Sequence, residues 1–380
     1  MARGHSLFGV AASLISEPFC ITKKARLSQE VSVRKDLIYP EGSWVALITP
    51  FDEEGAVDIP GFKRLVDFQK ANGTSGLLLM GSTGEPTSLT QDERRQIIDE
   101  MTPYCQGKLP VFHGATCGST AQTIDLARYA QEKGADGIML VVPPYVAPPQ
   151  GAVYGFLKSV CQSVDISVAV YNNPARVIVN IDPPTIIRLL GECPNLVADK
   201  EAVPNLAQLA SVMEGTGGRI RLLCCDAPNY ALPIPTLGMG GHGTANVTGN
   251  VAPREMAELS RPWRSWSDVV KGREAYFKYL PLMGASYSAT NPVAIKAMVK
   301  LMGLPSGDPR PPLPRIEGDR LKLLKEVIRR FGLREEYGES LKGFACPNCN
   351  EEEAIESSGR NGGSTQDTFA SEVCGLEKKT

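Results

Sequence analysis

The sequence predicts an α/β fold, a (β/α)8 TIM barrel followed by additional C-terminal helices. Between residues 43 and 337, apolar, β-rich runs alternate with amphipathic helical patterns in a regular order. The apolar runs are continuous, which is typical of parallel strands covered by helices. Eight such units in a stretch of this length fit a TIM barrel. The alternative is a doubly wound open sheet, whose dinucleotide-binding form is disfavoured because no Gly-x-Gly-x-x-Gly motif follows the first strand.

The predicted elements follow one another along this stretch. Strands are expected at residues 44–50, 76–80, 110–112, 137–142, 167–171, 196–200, 219–225 and 241–247. Helices are expected at residues 59–69, 90–101, 120–133, 184–190 and 205–213. Residues 41–262 would form the barrel and residues 263–342 a C-terminal helical part. We expect residues 1–40 to be a poorly ordered N-terminal extension. We expect residues 343–380 to be a disordered tail, because this segment cannot bury enough apolar surface to compensate for the conformational entropy lost on ordering.

The composition disfavours several classes of function. With 40 Lys and Arg against 42 Asp and Glu, the net charge of −2 argues against a nucleic-acid partner. No apolar run approaches the ~18 residues that cross a membrane. The ten cysteines are scattered, which suits buried thiols in a reducing cytoplasm. The alternatives to a plain N-terminal extension are a secretory signal and a plastid transit segment. The sequence supports a metal site only weakly, because it contains three histidines and because Cys346 and Cys349 lack a second pair of cysteines.

Lys200 ends the sixth predicted strand, and in a TIM barrel the chemistry lies where strands end. Burial there would lower the pKa of the amine, because the charged form loses its hydration. A neutral amine attacks a ketone to form a Schiff base, which makes the bound ketone an electron sink. On position alone, a solvated lysine that begins a loop is the favoured alternative.

Three other strand ends carry polar side chains. Residues 81–85 (Gly-Ser-Thr-Gly-Glu) precede a predicted helix, and their hydroxyl and N–H groups suit a carboxylate or phosphate. Tyr171 ends the fifth strand, where its phenol would pass protons between Thr83 and a substrate, or simply pack in the core. Arg176 follows in a turn fixed by proline, where it would bind a carboxylate or lie on the surface.

Taken together, these motifs resemble the dihydrodipicolinate synthase / N-acetylneuraminate lyase family of pyruvate-dependent Schiff-base lyases. The resemblance runs in order over residues 43–304. It implies a (β/α)8 barrel, a homotetramer or homodimer, and no metal or organic cofactor. The matching segments are residues 81–85, 171–176 (Tyr-Asn-Asn-Pro-Ala-Arg), 200–202 (Lys-Glu-Ala), 240–243 (Gly-Gly-His-Gly) and 291–296 (Asn-Pro-Val-Ala-Ile-Lys).

The resemblance also implies a role for individual side chains. Lys200 would form the imine with pyruvate, and Tyr171 and Thr83 would move protons. Ser82 would hold the pyruvate carboxylate together with Thr83, and Arg176 would bind the carboxylate of a short, acidic aldehyde. Ala245 in the eighth strand would line the pyruvate pocket through its backbone. The catalytic set is thus Lys200, Tyr171 and Thr83, and the substrate-binding set is Ser82, Thr83, Arg176 and Ala245.

The implied reaction condenses pyruvate with L-aspartate 4-semialdehyde to 4-hydroxy-tetrahydrodipicolinate, in the biosynthesis of diaminopimelate and lysine. One departure leaves an alternative open, since Val146 stands where synthases usually have a second tyrosine. Tyr145 or a water would then bridge the proton relay. Alternatively, the protein is an aldolase or dehydratase for a 2-oxo-3-deoxy sugar acid or 4-hydroxy-2-oxoglutarate. A non-catalytic barrel and a metal-dependent hydrolase fit less well. The resemblance also implies a regulatory site for lysine, whose expected polar positions read Pro86, Thr87, Gln91, Arg94 and Gly118 here. This alteration predicts weak or absent inhibition by lysine.

Overall fold

The computed structural model describes residues 34–342 and shows a closed barrel of eight parallel strands, so the predicted TIM barrel is confirmed. Each strand pairs with its neighbours in chain order, and β8 closes the barrel on β1. The expectations for residues 1–33 and 343–380 lie outside the described residues. The strands are β1 (Gly42–Ala46), β2 (Gly76–Leu79), β3 (Val111–Gly114), β4 (Gly137–Val141), β5 (Ser167–Asn172), β6 (Leu196–Glu201), β7 (Arg221–Cys224) and β8 (Gly243–Asn246).

Helices surround the barrel and continue after its last strand. The helices up to the end of the barrel are α1 (Ile59–Ala71), α2 (Gln91–Cys105), α3 (Thr120–Glu132), α4 (Gln150–Cys161), α5 (Pro174–Val177), α6 (Pro183–Glu192), α7 (Leu206–Thr216), α8 (Pro233–Gly238) and α9 (Pro253–Leu259). The C-terminal helices are α10 (Trp266–Ser286), α11 (Val293–Leu301), α12 (Gly318–Arg330), α13 (Leu333–Glu336) and α14 (Gly338–Leu341). Within residues 34–342, none of the helices has the length and apolar character required to cross a bilayer.

Local sequence signals explain where several helices begin and end. At the start of α2, the Thr90 hydroxyl accepts from the N–H of Glu93 while the Glu93 carboxylate accepts from the N–H of Thr90, a capping box. Helix α7 ends at Gly217, which has φ +59° in the left-handed region where glycine is least strained. Helices α4 and α8 were not among the predicted elements. Pro149 immediately precedes α4, and Pro233 and Pro235 lie in the first turn of α8, which hides the helical pattern.

Glycine is required where the barrel closes between β8 and β1. Gly243 has φ +147°, and a Cβ placed on it would lie 2.1 Å from the carbonyl oxygen of Gly42. The two residues are also register partners in the closing pair of strands. A larger residue at position 243 would therefore separate the two strands that complete the barrel.

The core lies inside the barrel and between the strands and their helices. Its largest fully buried side chains include Trp44 and Phe112, whose rings meet edge to face with centroids 4.9 Å apart. The cysteines that the structure describes are free and buried, as expected for thiols used as small apolar residues. Helix α11 returns to the carboxyl end of the barrel, where Lys296 forms a buried ion pair with Glu85.

Candidate active site

A cavity of about 1140 Å³ opens at the carboxyl ends of the strands. This is the end of a TIM barrel at which active sites occur. All of the predicted catalytic and substrate-binding residues line this one cavity, although they come from four different strand ends. They are Ser82, Thr83, Tyr171, Arg176, Lys200 and Ala245.

Lys200 lies in β6 with 5% of its surface exposed. Its strand shifts register against β5, because Leu196 pairs with Val168 whereas Ala198 pairs with Ala169. The shift sets Lys200 opposite Tyr171, and the Lys200 Nζ lies 4.1 Å from the centre of the Tyr171 ring. Burial lowers the pKa of the Lys200 amine to about 8, so roughly a tenth of it is neutral at pH 7.

A second buried lysine provides a comparison. Burial also lowers the pKa of Lys296 to about 8. Its Nζ, however, lies 2.8 Å from the Glu85 carboxylate and donates to the carbonyl oxygens of Thr49 and Asp308 at 3.1 and 3.3 Å. Because its donors are used within the protein and it does not line the cavity, Lys296 is structural, whereas Lys200 faces the space in which a substrate fits.

Tyr171 is buried beside Lys200 and keeps its proton. Burial raises the pKa of its phenol to about 12, so the group is a proton donor at neutral pH. Its oxygen accepts a hydrogen bond of 2.7 Å from the side-chain amide of Asn173. Because that oxygen accepts from the amide, the phenol proton is directed elsewhere, and the hydroxyl can serve as a general acid.

Ser82 and Thr83 lie in a single 3₁₀ turn after β2, within the glycine-rich segment of residues 81–85. The Gly84 N–H donates to the Gly81 carbonyl at 2.9 Å, which closes the turn. The Thr83 hydroxyl is buried and accepts a 3.0 Å hydrogen bond from the amide of Asn291. The turn thus presents one half-buried and one buried hydroxyl to the cavity, an arrangement that suits a small carboxylate.

Arg176 lies at the mouth of the cavity in the short helix α5. Its side chain is exposed, and its guanidinium donates to the Asn291 carbonyl oxygen at 3.5 Å. A long, weak hydrogen bond of this kind leaves most of the guanidinium donors available. Arg176 can therefore bind a carboxylate that enters from solvent.

The far wall of the cavity is formed by the ends of β7 and β8. Ala245 is buried in β8. Asp226 accepts from the backbone N–H groups of Val247 and Thr248 at 2.9 Å, and from the Tyr287 hydroxyl at 2.6 Å. These bonds fix the turn after β8 against α10. Burial raises the pKa of Cys225 to about 12, so this neighbouring thiol stays neutral.

The sequence indicated no role for Asn173, Asn291, Asp226 or Tyr287, although all but Asp226 line the cavity. Two of them fell inside family motifs, but nothing in those motifs indicated a contact with Tyr171 or Thr83. The contact of Asn291 with Thr83 joins residues 208 positions apart. Only the folded chain shows that each relay hydroxyl accepts from a buried asparagine.

The strand-end loop that contains Tyr145 and Val146 is turned outward. Tyr145 is 90% exposed and has φ +78°, and Val146 is 63% exposed. Within residues 34–342, neither side chain lines the cavity. The same part of the chain contains no cluster of three or more His, Cys, Asp or Glu side chains suited to a metal ion.

Comparison with known proteins agrees with this geometry. The model of the dihydrodipicolinate synthetase family matches residues 39–330, more than half of the chain. The 4-hydroxy-tetrahydrodipicolinate synthase of Methanopyrus kandleri is 36% identical, covering 78% of this chain and 98% of the relative. That of Methanococcus maripaludis is 34% identical, covering 77% of this chain and 99% of the relative.

A solved structure gives the same result. The crystal structure of dihydrodipicolinate synthase from Aquifex aeolicus matches with a TM-score of 0.73 at 33% identity. The match covers 78% of this chain and 99% of that chain. Because the agreement in sequence and in structure extends over the whole barrel, the chain belongs to the dihydrodipicolinate synthetase family.

Proposed function

We propose that the protein condenses pyruvate with L-aspartate 4-semialdehyde to 4-hydroxy-tetrahydrodipicolinate. The names of the relatives above support this reaction. The observation that carries the proposal is the Lys200 amine, which is buried in the cavity with its pKa lowered to about 8. The neighbouring hydroxyls of Tyr171 and Thr83 line the same space.

In the first half of the reaction, the neutral Lys200 amine attacks the keto carbon of pyruvate. The carbonyl oxygen leaves as water after it receives protons, and an imine to Lys200 remains. The hydroxyl and backbone groups of Ser82 and Thr83 bind the pyruvate carboxylate. Tyr171, whose phenol keeps its proton, is the acid that protonates the departing oxygen.

In the second half, the Tyr171 phenolate left by the first half takes a proton from the pyruvate methyl group, and the imine becomes an enamine. The enamine carbon attacks the aldehyde carbon, and Tyr171 protonates the oxygen that was the aldehyde. Arg176 binds the carboxylate of the aldehyde at the mouth of the cavity. The Tyr171 phenolate then takes a proton from the α-ammonium group of the aldehyde portion, and the amine so formed attacks the imine carbon. This attack closes the ring and releases Lys200 as the free amine, so the reaction is complete without a redox partner.

A second copy of the chain is the proposed partner of the exposed strand-end loops. Tyr145, Val146 and Ile178 are 90%, 63% and 65% exposed. We propose that they are covered in a homodimer or homotetramer, as the family resemblance implies. Sedimentation of the purified protein tests this, and a monomer at micromolar concentration would contradict it.

The experiment that tests the proposed reaction is a substrate panel with purified protein. L-aspartate 4-semialdehyde with pyruvate should give rapid turnover. Cleavage of 2-oxo-3-deoxygluconate or of 4-hydroxy-2-oxoglutarate should be slower by at least tenfold in kcat/KM. The reverse order would favour the aldolase or dehydratase that Val146 left open, although the names of the relatives do not favour it.

A further inference from the structure

Asn173 is a buried polar residue of the cavity, and within residues 34–342 its side-chain amide forms a hydrogen bond through the nitrogen but not through the oxygen. It follows β5, immediately before α5, and only 5% of its surface is exposed. Its Nδ2 donates to the Tyr171 phenol oxygen at 2.7 Å. Its Oδ1 is buried and has no hydrogen-bond partner among residues 34–342.

An unpaired amide oxygen in a buried position is unfavourable, because it has lost hydration without gaining a donor. Asn173 lines the cavity that holds Lys200 as well as a smaller adjoining space of about 210 Å³. A ligand that brings an N–H or O–H donor into the cavity would therefore remove this cost. The ligand group that matches Oδ1 is a hydrogen-bond donor, and a positively charged one gains most.

The position of Arg176 narrows the choice of ligand. The Arg176 N–H donates to the Asn173 carbonyl oxygen at 3.0 Å, so both residues belong to one helical turn. The Arg176 guanidinium can bind a carboxylate, and the Asn173 Oδ1 can accept from a hydrogen-bond donor. Both groups thus belong to one short segment of the chain. An α-amino acid presents a carboxylate and a hydrogen-bond donor on a single carbon. Pyruvate has no such donor, so the ligand in question is the second substrate.

We propose that Asn173 is the residue that recognises the α-ammonium group of the incoming aldehyde. This inference rests on the proposed function and assigns the residue that distinguishes an α-amino semialdehyde from a semialdehyde without the amino group. The Oδ1 of Asn173 accepts from the ammonium group while Arg176 binds the adjacent carboxylate. At the same time, the Nδ2 of Asn173 holds the Tyr171 oxygen, so substrate binding and the orientation of the acid depend on the same amide.

Two variants separate these roles. Asn173→Leu has a similar volume and neither donor nor acceptor. Asn173→Asp keeps an acceptor for the ammonium group but loses the donor to Tyr171. The probes are L-aspartate 4-semialdehyde as substrate and succinic semialdehyde, which lacks only the amino group, as a competitive ligand. The measured quantities are kcat and KM for the first and the inhibition constant for the second.

For Asn173→Leu, KM for L-aspartate 4-semialdehyde should rise roughly 10- to 100-fold, the effect of losing one hydrogen bond to a charged group. The inhibition constant of succinic semialdehyde should change by less than about threefold, because that ligand makes no such bond. For Asn173→Asp, KM should stay near the wild-type value while kcat falls. Equal changes for both ligands in Asn173→Leu would overturn the proposal, since a purely structural role affects both alike.

Trapping of pyruvate by borohydride monitors folding and imine formation independently of the aldehyde. Both variants should reach the same final amount of pyruvate adduct as the wild type but more slowly, because Tyr171 loses the amide donor that orients its phenol. The proposed function itself fails if the wild type does not convert L-aspartate 4-semialdehyde. The inference about Asn173 fails if the wild type converts it and the variants do not distinguish the two ligands.

Discussion

Lys200 and Tyr171 are register partners on neighbouring strands, with the amine 4.1 Å from the centre of the phenol ring. A charged ammonium at this distance would be attracted to the face of the ring. Burial acts in the opposite direction and prevails, since the pKa of Lys200 is lowered to about 8. The pair therefore combines an amine that can lose its proton with a phenol that keeps its own.

The pKa of Lys200 predicts how the first step depends on pH. Imine formation needs the neutral amine, so kcat/KM for pyruvate should rise with pH and reach a plateau above about pH 8. The rise should fit one ionisation, because Tyr171 with a pKa of about 12 stays protonated throughout. Single-turnover trapping between pH 6 and 10 measures this directly. A value of kcat/KM that continues to rise up to the ordinary lysine pKa of about 10.4 would contradict this prediction.

The buried ion pair of Glu85 and Lys296 is predicted to stabilise the turn that holds Thr83. Both side chains are almost completely buried, 1% and 0% exposed. Lys296→Met should lower the free energy of unfolding by about 3–5 kcal/mol, because it leaves the Glu85 charge buried without its partner. The double variant with Glu85→Gln should lose less than the sum of the single variants. Urea unfolding of the three variants measures this coupling, and strict additivity would show that the pair contributes nothing.

Asp199 is predicted to destabilise the barrel at neutral and higher pH. Its carboxyl oxygens are buried, and neither has a hydrogen-bond partner within the described part of the chain. Burial, with the charge of Glu201 two residues on, raises its pKa well above the ordinary range. The folded state therefore binds this proton more tightly, so its stabilising effect is complete below the unfolded pKa of about 3.9 and is lost as pH rises.

Replacing the Asp199 carboxyl with an apolar group should remove that loss. Asp199→Val is expected to raise the free energy of unfolding at pH 8 by about 1–3 kcal/mol, with a smaller gain at pH 5. Urea titrations at the two pH values provide the comparison, and Glu54→Gln at an exposed site serves as the control. A destabilised variant, or a gain that does not depend on pH, would show that the carboxyl has a partner or a different role.

Inhibition by lysine is predicted to be weak or absent. In this chain the region of the expected regulatory site is occupied by Arg94, which is buried. Its guanidinium donates to the carbonyl oxygen of Pro86 at 2.9 Å and to that of Thr116 at 3.1 Å. A cation at this place disfavours the ammonium groups of lysine. Initial rates with and without lysine, using arginine as the control, test this, and a sub-millimolar inhibition constant would contradict it.

Much of the fold was predictable because strand periodicity and strand-end chemistry are local properties of the sequence. Lys200 could be singled out because it ends an apolar run, and Arg176 because it follows a proline turn. The contacts of Asn173 and Asn291 with the relay hydroxyls could not be predicted in this way. They depend on side-chain orientation after β5 and on the return of the chain to the barrel before α11, both of which are set by packing.

The most direct test of the account is the position of the covalent pyruvate adduct. Lys200 and Lys296 are both buried with a pKa lowered to about 8, but only Lys200 lines the cavity. After reduction with borohydride in the presence of pyruvate, peptide mass mapping should find the adduct on Lys200, and Lys200→Ala should abolish it. An adduct on Lys296 or on a surface lysine, or no adduct at all, would contradict the proposed chemistry.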